Sequence, residues 1–373
     1  MRKKIVSIVS YAVLPYSSGG QKSIAQFNEY LAAICDLTVI GTEGNDCSLA
    51  KNYTLLPWMR NGKTKFFDIS LFFKLKKLIQ QKGIDTVIIE HPYMGWLGWL
   101  LQLFCNVQMV VHTHNIEYLR FKSVGKKFWP ILKVYEHWVL KKAAIVFCIS
   151  EEDKHFMIEK MGITSKKCHV ITFGVPHATI PSDKKMAGAT VRKQHGILEN
   201  EVIILFNGLL NYYPNTNAVT AIIERINPIL KEQKLPYKII ICGKNLPNHF
   251  NELKAYSNDN IVYTGFVSSI ELYFKAADIF INPVITGGGI KTKLVEALSF
   301  NTTVISTKSG AIGFDTATVG NKLTVIEDED WQAFAAAISQ QIKLPIDTPS
   351  SFYDEYFWGN ITAKALRILE TNG

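Results

Sequence analysis

Two series of short apolar runs alternate with amphipathic stretches and are separated by a Pro-, Ser-, Lys- and Gly-rich segment at 176–189. This pattern predicts an α/β protein of two doubly wound, Rossmann-like parallel-sheet domains. The first series has strand-like runs at 4–10, 37–40, 86–90, 109–112 and 145–149. The second has them at 202–207, 238–242, 261–264, 278–282, 303–306 and 323–326. The stretch 92–111 is almost uncharged, but Gln102, Asn106 and Gln108 interrupt it, so it reads as a short buried helix over 95–104 and then a strand, not a membrane span. Pro345 and Pro349 break the chain before a last helical stretch, 353–369. The expected domains are 1–180 with 352–373, and 181–351. Parallel sheets take ligands at the carboxyl ends of their strands, so two of them facing one another predict a cleft between domains.

Composition narrows the class. At 373 residues, 47% hydrophobic and 20% charged, the chain reads as a folded soluble protein able to bury two cores. Six cysteines without a C-x-x-C pair or metal-ligand cluster fit reduced thiols in a cytoplasmic setting. The start Met1-Arg2-Lys3-Lys4 runs into a strand with no small-residue cleavage site, so no signal peptide is expected. Residues 1–180 hold 23 Lys/Arg against 13 Asp/Glu, whereas 181–373 hold 18 against 19. The basic half calls for an acidic partner. Lysines at 74, 76, 77, 82, 122, 126, 127, 141 and 142 interleave with Phe66, Phe67, Phe72, Phe73, Phe128 and Trp129. That mixture suits an anionic membrane surface, at about 1 kcal/mol per basic residue. It equally suits solvated helix faces with the aromatics turned inward. No repeat or binding motif supports nucleic acid.

The chemistry concentrates at strand ends. The run Gly287-Gly288-Gly289-Ile290-Lys291-Thr292-Lys293-Leu294-Val295-Glu296 joins an apolar strand to a helix. Glycines there bare backbone amides, the amides of Ile290 to Thr292 are expected as unpaired first-turn donors, and Lys291 and Lys293 add charge. Glu296 would lie about 9 Å along the axis from Ile290, within reach of sugar hydroxyls beside a bound phosphate. Together these point to a nucleotide. Ordinary loop glycines and a solvated Lys293–Glu296 pair are the plainer reading. The spacing is neither a dinucleotide fingerprint nor a Walker A loop. After the first strand, Ser17-Ser18-Gly19-Gly20-Gln21-Lys22 forms a glycine turn into a helix. After the fourth comes His112-Thr113-His114-Asn115-Ile116-Glu117, where H-x-H could bind a metal but no third ligand is evident. In the second half, Gly208, Gly243 with Lys244, and Gly265 with Phe266 open loops after its first three strands.

These residues resemble glycosyltransferase family 4, of the GT-B fold. The likeness rests on Gly19-Gly20, His114-Asn115-Ile116-Glu117, Cys148-Ile149-Ser150-Glu151, Phe173-Gly174-Val175 and above all Gly287 to Leu298 with the strand Thr303-Val304-Ile305-Ser306. The last helix resembles the family's C-terminal helix, which crosses back onto the first domain. The resemblance implies sugar transfer from a nucleotide-sugar, UDP- or GDP-linked, to an acceptor hydroxyl, with retained configuration, no cofactor and no essential metal. It implies that Glu296 holds the donor ribose, that Gly19 and Gly20 approach the diphosphate and sugar, and that His114 sits at the sugar and acceptor end. Donor contacts are expected also from Gly208, Gly243, Lys244, Gly288, Gly289, Ile290 and Lys293, with Phe266 at the base. The chain departs from the family twice. Gly288 stands where the first acid of E-x7-E would fall, and Leu209 with Asn211-Tyr212-Tyr213-Pro214-Asn215 replaces the usual Arg and Lys. Lysine must then supply the charge for the leaving phosphate, with Lys291 first, then Lys293 and Lys244. The acceptor implied is a glycan or lipid-linked sugar of a surface polysaccharide or glycolipid. A nucleotide-sugar 2-epimerase and a noncatalytic nucleotide- or glycan-binding module are the alternatives.

Overall fold

The computed structural model describes residues 2–286, 290–342 and 346–371. Thirteen strands are described: β1 Lys4–Val9, β2 Asp36–Thr42, β3 Thr54–Met59, β4 Thr86–Glu90, β5 Gln108–His112, β6 Ile145–Cys148, β7 Cys168–Val170, β8 Val202–Asn207, β9 Tyr237–Cys242, β10 Ile261–Gly265, β11 Ile279–Asn282, β12 Thr303–Thr307 and β13 Leu323–Ile326. They form two sheets, ordered β3-β2-β1-β4-β5-β6-β7 and β10-β9-β8-β11-β12-β13, and every pairing is parallel. Helices cover the strands, so β1, β4 and β5 are buried almost end to end. In each sheet the winding reverses once, between β1 and β4 and between β8 and β11. Loops leave in opposite directions there, and the carboxyl ends of those strands open onto solvent or ligand.

The chain divides into two compact units, Met1–Pro176 with Tyr356–Gly373 and His177–Glu355. The expected linker at 176–189 is only half linker. From Lys184 the chain is a helix, Lys184–His195, whose Ala187 and Val191 are buried one turn apart and whose end is closed by Gly196 at φ 63°. Its few apolar positions hid its period. The last helical stretch is two helices, Ser350–Tyr356 and Trp358–Thr371. Between them Phe357 pairs with Val175 as an isolated parallel bridge. Two edge strands carried little signal: β3 holds Pro57, tolerated at a sheet edge, and β7 has three residues. The helix Gly95–Cys105 lies so close to its neighbours that a Cβ on Gly95 would come within 2.3 Å of Val139, and one on Gly98 within 2.9 Å of Ile89. No described helix is long and apolar enough to cross a membrane.

Trp358 fastens the returning helix. It is 1% exposed, packs edge-on against Phe27 and Phe173, and donates from Nε1 to Gln26 Oε1 at 3.0 Å. Trp358→Ala should cost the first unit about 3–5 kcal/mol, read as an earlier urea midpoint. An unshifted midpoint would show that the returning helix is not needed for that unit's stability.

Candidate functional site

In the first unit the site grows from the ends of β4 and β5, whose last residues, Glu90 and His112, are register partners. His112 Nδ1 lies 3.0 Å from Glu90 Oε2, and His114 Nε2 donates to the same oxygen at 2.7 Å. The fold therefore supplies the third potential ligand beside H-x-H that local sequence lacks, correcting that expectation: Glu90, His112 and His114 form one buried cluster. His91 follows Glu90 with φ 62° and ψ 158°, a conformation costing a non-glycine residue about 1–3 kcal/mol. Its N–H donates to His112 O at 2.9 Å. Its Nδ1 donates to Glu117 Oε1 at 3.2 Å, while the Tyr11 hydroxyl donates to its Nε2 at 2.9 Å; these tautomers are assigned from the bonding network. Glu117 also accepts from Arg120 Nη2 at 2.6 Å and from the Tyr93 hydroxyl. Glu136 caps the helix Glu117–Ser123, accepting the amides of Glu117 and Tyr118 at 2.9 Å each.

Electrostatics fix the protonation states. Burial opposes charge on Glu90, but the charge of His112 and the hydrogen bond and charge of His114 outweigh it and hold the carboxyl below the usual range. Burial, reinforced by His112, pushes His114 down to about 3 despite its bond to Glu90. His114 is thus a neutral imidazole with its proton on Nε2, leaving Nδ1 as an acceptor. Burial likewise opposes charge on Glu117, yet His91 and Arg120 bring its pKa to about 2. Glu90, His91, Tyr93 and Arg120 escaped the sequence reading. An acid ending an otherwise apolar strand, Thr86-Val87-Ile88-Ile89-Glu90, is the signal that could have found the first two.

Gly19 and Gly20 lie within the first turn of the helix Gly19–Ile34, not in a turn before it, because Ser18 takes the cap position and accepts from the Gln21 amide. A Cβ on Gly20 would meet nothing within 4 Å.

In the second unit Gly287, Gly288 and Gly289 fall outside the described residues. The helix after them is Thr292–Ser299 with Lys291 at its cap position in extended conformation. Ile290 therefore precedes the first turn, and the donors there are Thr292 and Lys293. Lys293 Nζ donates to Asn215 Oδ1 at 3.0 Å and Asn207 O at 3.4 Å, and lies 4.4 Å from the Phe206 ring centroid. It thereby reaches the end of β8. Burial, then the charge of Lys291, pushes Lys293 down to about 7; burial pushes Lys291 down to about 8. Glu296 is partly exposed on the same helix. Gly208 crosses under Gly243 so closely that a Cβ on Gly243, φ 157°, would stand 2.1 Å from Gly208 O. Lys244 steadies this crossing by accepting from the Leu210 amide at 3.0 Å. Phe266 is 71% exposed. Asn207 Oδ1 and Asn282 Oδ1, at the ends of β8 and β11, are buried without a partner among the described residues.

Since an unfolded lysine titrates near about 10.4, the unfolded chain holds a proton on Lys293 that the folded chain releases above about 7. Stability gained from losing that charge therefore rises with pH across this window. Lys293→Met should flatten the rise, seen in Tm measured against pH; parallel curves for the two proteins would contradict the burial of this ammonium.

Comparison with known proteins agrees with this fold. Residues 17–179 match Glycosyltransferase Family 4, and residues 201–343 match Glycosyl transferases group 1. Over 125 residues the chain is 24% identical to the O-antigen biosynthesis glycosyltransferase WbnH of Escherichia coli, covering 34% of this chain and 36% of that protein. The match thus spans about a third of that relative's length. A glycosyltransferase from Rickettsia africae superposes with TM-score 0.76 at 18% identity, covering 100% of this chain and 98% of that one. Anabaena Alr3699/HepE, solved with UDP, superposes with TM-score 0.73 at 14% identity over 99% of this chain and 100% of its own. Two parallel sheets in the GT-B pattern and matches to both halves place the chain in glycosyltransferase family 4, among the glycosyl transferases group 1.

Proposed function

We propose that the chain transfers a sugar, with retained configuration, from a UDP- or GDP-sugar to an acceptor hydroxyl in the building of a surface polysaccharide or glycolipid. The observation that carries this reading is the pair of desolvated lysines, 291 and 293, at a helix start beside the switch point of the second sheet. Burial disfavours the charged form of both ammonium groups, so an arriving diphosphate would stabilise that form, and they would stand where negative charge grows as the glycosidic bond breaks. Glu296 would accept ribose hydroxyls, and the unpartnered acceptors of Asn207 and Asn282 could take further donors. His114, tied to Glu90 and neutral, would orient a sugar or acceptor hydroxyl through its accepting nitrogen. It is too weak a base to remove that proton, which passes to the leaving phosphate. The O-antigen role of WbnH supports a glycan acceptor. No metal or cofactor is assigned to the transfer step.

Calorimetry with UDP and GDP tests the donor site. Glu296→Ala should weaken binding at least about tenfold, and Lys291→Ala should lower kcat by about 10²–10³ with a smaller change in KM. Because binding needs both ammonium groups charged, affinity should fall as pH rises from about 7 to above about 8. Pentose-independent binding, or normal kinetics in both variants, would defeat the assignment.

A membrane-facing role rests on a separate observation. Phe72 turns inward, but Phe67 is 84% exposed, and Phe73, Phe104, Phe128, Ile131 and Val134 are also exposed. Phe72 bridges Phe73 and Phe104 at ring distances of 5.3 and 5.9 Å, joining the aromatics of two helices into one apolar ridge. We propose that this ridge docks on anionic lipid at the cytoplasmic face of the membrane. Salt-sensitive sedimentation with phosphatidylglycerol vesicles should drop in a Phe73→Ser/Phe104→Ser variant; equal binding by the variant would remove the ridge from consideration.

A further inference from the structure

Glu90, His112 and His114 place a carboxylate oxygen and two imidazole nitrogens within 4.8 Å of one another, all buried. Glu90 Oε1 and both ring nitrogens of His112 have no hydrogen-bond partner among the described residues. Although His112 Nδ1 is 3.0 Å from Glu90 Oε2, the two are misaligned for a hydrogen bond. Three unsatisfied polar atoms in one buried cluster require an ion or ordered water. The donor set selects among ions: two imidazoles and one carboxylate suit Zn²⁺ and its neighbours, whereas Mg²⁺ and Ca²⁺ favour oxygen. Tetrahedral bonds of about 2.0–2.1 Å would set ligand atoms about 3.3 Å apart, a few tenths of an ångström beyond the 2.7 and 3.0 Å from Glu90 to the two histidines and inside the 4.8 Å that bounds all three atoms.

We infer that Glu90, His112 and His114 form a binding site for a divalent transition-metal ion, Zn²⁺ above all, and that filling it inhibits the protein. The inhibition follows from tautomer chemistry and rests on the role proposed for His114. Metal at Nε2 displaces the proton now shared with Glu90. In the neutral ring that proton moves to Nδ1, so the nitrogen that accepted a hydroxyl proton becomes a donor and the hydroxyl proton loses its acceptor.

The full chain, stripped with chelator, should bind one equivalent of Co²⁺ with a visible d–d band that Zn²⁺ displaces. His112→Ala and Glu90→Gln should each weaken Co²⁺ binding at least about tenfold; His112→Gln serves if either fails to fold by circular dichroism. No band, or a band equally strong in the variants, overturns the site, since binding to surface histidines would survive these changes. Zn²⁺ should inhibit sugar transfer by the wild type, and inhibition relative to each variant's own metal-free rate should be lost. Metal binding without inhibition overturns the tautomer argument. Co²⁺ binding is read with no sugar donor present, so a chain that binds metal but transfers no sugar keeps this site and loses the proposed function. The converse result does the reverse.

Discussion

Glu90 is a carboxylate with no exposure to solvent at the end of an apolar strand, and much of the first unit's architecture follows from tolerating it there. Removing such a charge from water costs several kcal/mol unless partners replace the solvent. Parallel pairing of β4 with β5 delivers the first partner, His112, directly across the ladder. The turn after β5 delivers the second, His114. The strained backbone of His91 belongs to the same solution: its amide closes onto His112 and its ring is gripped from both sides by Tyr11 and Glu117. Backbone strain of this kind persists where surroundings over-determine it, which is typical of functional positions.

The second unit meets the opposite problem at Lys293, whose ammonium is desolvated. Lys293 is held by an amide oxygen, a carbonyl and the face of Phe206, which are dipoles and a quadrupole but carry no formal charge. These partners leave the ammonium's pKa near neutrality. A group poised in this way responds strongly to an arriving anion, whereas a lysine already paired with a carboxylate would have to exchange one partner for another. The close crossing of Gly208 and Gly243 belongs to the same design, because it brings two strand ends together where side chains would have kept them apart.

What could be read from the sequence follows from how local each signal is. The boundaries of β8 and β13 matched because mainly apolar runs give way to polar residues at their ends, and the helix at 95–104 was visible from its glycines and length. Likewise His114, Lys291 and Lys293 announced themselves as reactive residue types at strand ends. The partnership of Glu90 with the histidines was not visible, since it joins residues 22 and 24 positions apart through sheet register. The start of the helix at Thr292 was misplaced by two residues because Lys291 takes the cap position without a capping side chain, leaving no Ser, Thr, Asp or Asn to mark it. Pro57 masked β3 by the same logic that keeps proline on edges.

Charge in the first half divides between surface and interior in a way the sequence total conceals. Its surplus of basic residues, 23 against 13, is carried mainly by lysines outside the histidine cluster, among exposed aromatics such as Phe67 and Phe128. Inside, the cluster contains Glu90 and Glu117 held ionised, with the partly exposed Arg120 paired to Glu117 from its edge. Such an interior repels a diphosphate and welcomes hydroxyls or a cation. Under the function proposed above, an anionic donor would find its counter-charge at the lysines of the second unit rather than in this cluster.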